Sequence, residues 1–165
     1  MSATTEMEKP AMAENIKLQL RRVIRAPRAR VYEAWTQPER IRQWFGPEGV
    51  VVHKVTTDLR VGGAYSIELE KSCDAERAGD PNQPAPGTQG RYTEIVPNEK
   101  IAFTWNANWQ PGEQTLVTVE LRDVPGGTEV VLTHERFESE ESKARHEHGW
   151  SGSLEKMAQL FEKQI

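Results

Sequence analysis

One cysteine, Cys73, stands among 165 residues, so an internal disulfide is excluded and a reducing, cytoplasmic setting is expected. Its acidic neighbours Asp74 and Glu76 would raise a thiol pKa, which argues against a nucleophile there. Long apolar runs are missing, so no membrane insertion is expected. The N-terminal MSATTEMEKPAMAEN lacks the basic start and apolar core of a signal peptide. Positive charge is in deficit: 21 Lys and Arg against 25 Asp and Glu give a net charge of −4, which disfavours nucleic acid and anionic membranes as partners. The run Arg21, Arg22, Arg25, Arg28, Arg30 reads as solvated surface charge. Gly62-Gly63 and Gly126-Gly127 are turn glycines without phosphate-loop spacing, and no serine-histidine-acid set with an elbow motif occurs. His146 and His148 lie two apart on a helix, about 200° around its axis, so they cannot share an ion. No cofactor and no metal are expected.

What is present fits one α+β domain. The length suffices to bury roughly 70% of the unfolded surface. Residues 1–15 have no periodicity and read as a flexible tail before a single domain over 16–165. Ile16, Leu18, Leu20 and Ile24 alternate as a strand with one buried face, which Arg22 interrupts; a bulge or a strand end near solvent explains it, with a charge in a polar part of a cavity as the alternative. Pro27 suits a first helical position, and Val31, Ala34 and Trp35 share one helical face. Pro38 ends that helix and starts a second, with Ile41, Trp44 and Phe45 on its inner side, closed by Gly46-Pro47.

From Val50 to Phe137 the pattern is strands and turns, clearest where Tyr65, Ile67 and Leu69 alternate with polar residues. A polar stretch over 71–87 with Pro81, Pro84 and Pro86 is long for a hairpin connection, and reads as a lid or a disordered insertion. With the first strand the count is seven, joined as hairpins into an antiparallel meander. Ser139 is placed to cap a final helix, Glu140 and Glu141 suit its first turn, and Glu141 pairs with Arg145. Trp150, Leu154, Met157 and Phe161 then trace its apolar stripe.

Four segments in order carry a resemblance: Arg22-Val23-Ile24-Arg25-Ala26-Pro27; Trp35-Thr36-Gln37-Pro38 leading to Trp44-Phe45-Gly46-Pro47; Asp58-Leu59-Arg60-Val61-Gly62-Gly63; and Gly149-Trp150 with Leu154. Gly90 to Ile95 and the Thr-x-Val-x-Leu-x-His run ending at His134 lie between them. Over about residues 16–162 the chain resembles the activator-of-heat-shock-protein-ATPase homologues of the START-like (SRPBCC) superfamily, whose helix-grip fold wraps an antiparallel sheet around a long C-terminal helix. The resemblance implies a deep cavity between sheet and helix that holds lipids, sterols, polyketides or hormones in relatives, some of them cyclases or aromatases. It also raises a heat-shock ATPase as a candidate partner, although the eukaryotic namesake has an additional N-terminal domain where this chain has a short tail. The resemblance also implies a role in the stress response. A single fold hosts many functions, and a monomer or a homodimer is compatible with it.

Five tryptophans are many for this length, and aromatic walls suit flat apolar ligands. Strand parity and helix phase send Tyr65, Trp105 and Trp150 inward as pocket lining or core, while Trp44 and Phe103 lean to core. His134 shares a face with Val130 and Leu132, where it could orient a ligand oxygen or move a proton. Glu94 shares parity with Tyr92 and Val96; facing inward it would form an acid/base or anchoring pair with His134, facing outward it is an edge glutamate. His146 sits four before Trp150 on the inward stripe. Candidate ligand contacts are therefore Trp44, Tyr65, Tyr92, Glu94, Trp105, His134, His146 and Trp150. The expected role is binding of a small hydrophobic or aromatic molecule in the cavity. A cyclase or aromatase using the same cavity and an interaction protein acting on a heat-shock ATPase are the alternatives.

Overall fold

Alternating apolar residues produce seven strands, and three amphipathic stretches produce helices, in a computed structural model that describes residues 16–46, 51–70, 87–107 and 112–162. The expected tail at 1–15 lies outside the described residues, as does the expected loop over 71–87 apart from Gly87. The elements are β1 (Ile16–Ile24), α1 (Arg28–Thr36), α2 (Pro38–Trp44), β2 (Val52–Thr57), β3 (Ala64–Leu69), β4 (Gly87–Val96), β5 (Lys100–Ala107), β6 (Thr115–Val124), β7 (Gly127–Phe137) and α3 (Glu140–Glu162). The sheet order is β1-β7-β6-β5-β4-β3-β2, with each neighbouring pair antiparallel. β1 and β2 occupy opposite edges, so the segment joining them, which carries α1 and α2, must cross the open side of the sheet. This is the helix-grip arrangement the sequence predicts.

Local chemistry sets the boundaries. Pro27 is the cap of α1 rather than its first residue, with φ −64° and ψ 154°, and Pro38 opens α2 behind an extended Gln37. The short helices lock together where the Trp44 indole N–H donates to the Ala34 carbonyl at 2.8 Å. The Ser139 hydroxyl accepts the Ser142 N–H at 3.0 Å and caps α3, while Arg145 and Glu141 pair at 3.2 Å. Trp150, Leu154, Met157 and Phe161 are all buried against the sheet, each contributing about 1.5–3 kcal/mol by removal from water.

The register shifts at three places among the described strands, at His53 in β2, in β4 and in β7, and the last two matter for the interior, because a bulge changes which face later residues occupy. Thr93 is the extra residue in β4, between the pairs Tyr92–Phe103 and Glu94–Ala102. Arg136, at φ 74°, is the extra residue in β7 between Glu135 and Phe137. Parity from His134 would send Phe137 outward; the bulge returns it to the core beside His134. Near Thr93 the strand is also crowded, because a Cβ at Gly90 would collide with the Thr104 carbonyl oxygen. Of the two forms of the favoured reading at Arg22, no bulge occurs, since it pairs in register with Val130; it lies near the end of β1, partly exposed, with its guanidinium 3.1 Å from Glu155 of α3.

Candidate functional site

The aromatic residues of α1, α2, β3, β4 and β5 converge on one region beneath α3. Trp35 lies 4.6 Å from Trp44 and 5.9 Å from Trp150 between ring centroids. Tyr65, Tyr92 and Phe103 form a second, edge-on group, with Tyr65 and Phe103 5.2 Å apart. These rings enclose a cavity of about 30 Å³ walled by Trp35, Trp44, Phe45, Tyr65, Tyr92 and Trp105, among others. Burial pushes the Tyr65 phenol pKa far up and keeps the hydroxyl protonated; it donates to the Thr104 carbonyl at 2.6 Å. The Tyr92 phenol is pushed up to about 12, first by burial and then by Tyr32 and Asp58.

A polar layer lies next to this box. Indole nitrogen only donates, so each donated bond fixes a histidine tautomer. Trp150 Nε1 donates to His134 Nδ1 at 3.0 Å, which places the neutral ring's proton on Nε2, facing Thr115 Oγ1 at 2.7 Å. The Thr115 hydroxyl in turn donates to the Trp105 carbonyl. Trp105 Nε1 donates to His146 Nε2 at 3.2 Å, so His146 carries its proton on Nδ1 and gives it to the Ser142 carbonyl at 2.8 Å. Burial lowers the pKa of His134 well below the ordinary histidine value, with the neighbouring His146 acting in the same sense. Burial also lowers that of His146, outweighing the Ser142 carbonyl and the Glu113 carboxylate, which favour the charged ring. Glu113 anchors this layer from the β5–β6 connection: its carboxylate accepts the Ser142 hydroxyl at 2.7 Å and the Glu138 N–H at 2.8 Å.

A second cavity, of about 90 Å³, opens between the end of α2 and α3, against Phe45, Gly46, Leu69, Trp105, His146 and Trp150. Phe45 and Trp105 wall both cavities, their ring centroids 6.0 Å apart. Gly46 has φ 87°, a left-handed turn that suits glycine, and its N–H donates to Ser153 Oγ of α3 at 2.8 Å. Among the described residues, side chains therefore fill much of the deep cavity that the resemblance implies, and these two small spaces border Phe45 and Trp105.

Of the residues singled out from sequence, Trp44, Tyr65, Tyr92 and Trp105 border the smaller cavity, and Trp105, His146 and Trp150 the larger. His134 points inward but sits behind the tryptophans, fully buried, with both ring nitrogens engaged. Glu94 lies elsewhere. The Thr93 bulge turns it to solvent, where it pairs with Lys100 at 3.2 Å, and Ile95 takes the inward register opposite Ile101. The proposed Glu94–His134 pair is not assembled. Among the described residues no group of three or more His, Cys, Asp or Glu side chains is arranged to hold a metal ion. Sequence reasoning missed Glu113, Thr115 and Ser142. Ser142 had a signal, its i,i+4 spacing to His146; the other two, near the turn into β6, had none.

The arrangement defines a class: an α+β helix-grip protein whose sheet closes on an aromatic interior under the C-terminal helix. The model of the Activator of Hsp90 ATPase homolog 1-like protein family matches residues 25–162, and the chain belongs to that family. Among solved structures it is similar to a Chromobacterium violaceum protein, at 30% identity and a TM-score of 0.72, covering 88% of this chain and 96% of that one. It also resembles an AHSA1 protein from Silicibacter pomeroyi in fold, at 23% identity and a TM-score of 0.72, over 91% of this chain and 100% of that one. CalU16 from Micromonospora echinospora shares the fold at 22% identity and a TM-score of 0.62, over 89% of this chain and 75% of that one. No curated protein matches the sequence significantly. Among the described residues no helix is long and apolar enough to cross a membrane.

Proposed function

We propose that this chain binds one small hydrophobic or aromatic molecule in the space between the sheet and α3, walled by Phe45, Trp105 and Trp150. The observation that carries the reading is the pair of neighbouring aromatic cavities that share Phe45 and Trp105 as walls, with Phe45 set at a glycine turn. Family membership supports it, since START-like folds generally bind hydrophobic ligands. Neither cavity approaches the roughly 300–1,000 Å³ of a pocket for a drug-sized ligand, so binding proceeds with displacement of a shared wall. Apolar burial supplies the affinity, at roughly 25 cal/mol per Å². The lone cysteine makes the cytoplasm the proposed location.

An NMR amide-shift titration with fatty acids, flavonoids, sterols and aromatic polyketides tests the reading. The expected result is saturable shifts that cluster on Phe45, Gly46, Trp105 and Trp150, strongest for flat compounds. No shift from any compound in the panel would remove the ligand-binding reading and direct the search to protein partners, a heat-shock ATPase first.

A further inference from the structure

We propose that the occupant is a small planar aromatic molecule carrying one hydrogen-bond acceptor, and that the Trp35 indole N–H receives that acceptor in a chamber formed when Phe45 leaves the wall that the two cavities share. The proposal rests on the ligand-binding reading above and adds the chemistry of the ligand. Three other indoles in this interior each have an acceptor: Trp44 the Ala34 carbonyl, Trp105 His146, and Trp150 His134. The Trp35 indole N–H has none, although the residue is only 5% exposed and borders the smaller cavity. A buried donor without a partner is costly and rare in native structures, and calls for an explanation at the site.

The cavity of about 30 Å³ has room for a single water, and the hydroxyl-bearing Thr57, Tyr65 and Tyr92 border it beside the Trp35 indole. A ligand acceptor on the Trp35 N–H takes the place of that water, whose displacement costs little when the acceptor reproduces its bond. Among the described residues no charged side chain borders this cavity, so a carboxylate or an ammonium is disfavoured there. A neutral acceptor, such as an aryl ketone, fits the orphan donor. Size points the same way. The two cavities of about 30 and 90 Å³ both border Phe45 and Trp105, and the volume vacated by the Phe45 ring would bring a joined space to the order of the ~150 Å³ known to hold benzene. Tilted rings at 4.6 to 6.0 Å around it favour a flat molecule. Phe45 is placed to move: it follows the last turn of α2 and precedes the left-handed Gly46, whose N–H on Ser153 Oγ holds the closed position.

Acetophenone and α-methylstyrene, which differ by C=O against C=CH2, test the proposal on ¹⁵N-labelled protein. Acetophenone is expected to move the Trp35 indole proton downfield to saturation, with the resonance assigned through Trp35→Phe; α-methylstyrene is expected to bind without that shift. Trp35→Phe should weaken acetophenone roughly tenfold, the factor one lost buried hydrogen bond implies, and leave α-methylstyrene within about twofold. Phe45→Ala should tighten both roughly tenfold by opening the chamber in advance. If both compounds bind while the Trp35 proton stays still and Trp35→Phe does not discriminate, the donor assignment is overturned but the ligand-binding reading stands. If Phe45→Ala leaves both affinities unchanged, the joined chamber is overturned. If neither compound binds wild type or Phe45→Ala while the wider panel above does bind, the ligand class is overturned; silence from that panel too removes the underlying reading.

Discussion

The interior has two adjoining regions built from the same residue types and finished differently. In the layer around His134 and His146, each indole, imidazole and hydroxyl of the chain from Trp150 and Trp105 to Thr115 and Ser142 has a partner. In the box around Trp35 and Trp44 the rings are also buried, yet one indole N–H is left over beside two small cavities that share Phe45 and Trp105 as walls. A satisfied buried network makes a position rigid, because any change strands several groups at once. An unsatisfied donor beside a cavity is open to an outside partner. Under the proposed function, support falls to the histidines and recognition to the tryptophan box, the reverse of what residue type alone suggests.

The largest expected effect breaks the support side. His134→Leu strands the Trp150 N–H and takes away the donor to the Thr115 hydroxyl, which keeps its bond to the Trp105 carbonyl, and is expected to cost about 2–4 kcal/mol, read from urea unfolding. The pH dependence comes next. Both histidines have folded pKa values below the ordinary 6.5, so below about pH 6.5 the unfolded chain takes up protons that the folded chain refuses. Stability is therefore fully present above that pH and is lost as pH falls, by up to roughly 1 kcal/mol per pH unit for each histidine, with no slope from them between pH 8 and 9. Thermal unfolding across pH 4.5–9 checks this, and a flat profile below pH 6.5 would contradict the neutral tautomers. On the recognition side, Ser153→Ala frees the Gly46 N–H at a cost of about 1 kcal/mol and should raise hydrogen exchange at Gly46 together with the ligand on-rate. The smallest effect is Glu94→Gln. Its pair with Lys100 is exposed, so stability and ligand affinity should stay within about 0.5 kcal/mol; a tenfold affinity loss would restore Glu94 to the site.

The fold was legible because its signals are local. Alternation through Tyr65, Ile67 and Leu69, and the stripe Trp150, Leu154, Met157, Phe161, are periodicities that any chain must bury in one way. The site was legible only in part. Residue type and parity correctly turned Tyr65, Trp105 and His134 inward, but two single-residue bulges reversed the faces of Glu94 and Phe137. A bulge leaves no periodic trace, since it is decided by pairing with a distant strand. Cavity volume is harder still: it is the small difference between the space the sheet encloses and the side chains that fill it. The orphaned state of Trp35 depends on which carbonyls its neighbours claim, a property of tertiary packing alone.

The central claim, that ligand enters by displacing Phe45, is tested most directly by ¹⁹F NMR of protein labelled with 4-fluorophenylalanine, whose four resonances are assigned by substitution. On titration with acetophenone, the account expects the Phe45 resonance to move to a distinct bound position while Phe137, packed on His134 in the support layer, stays fixed. Saturable binding with an unmoved Phe45 resonance would contradict it.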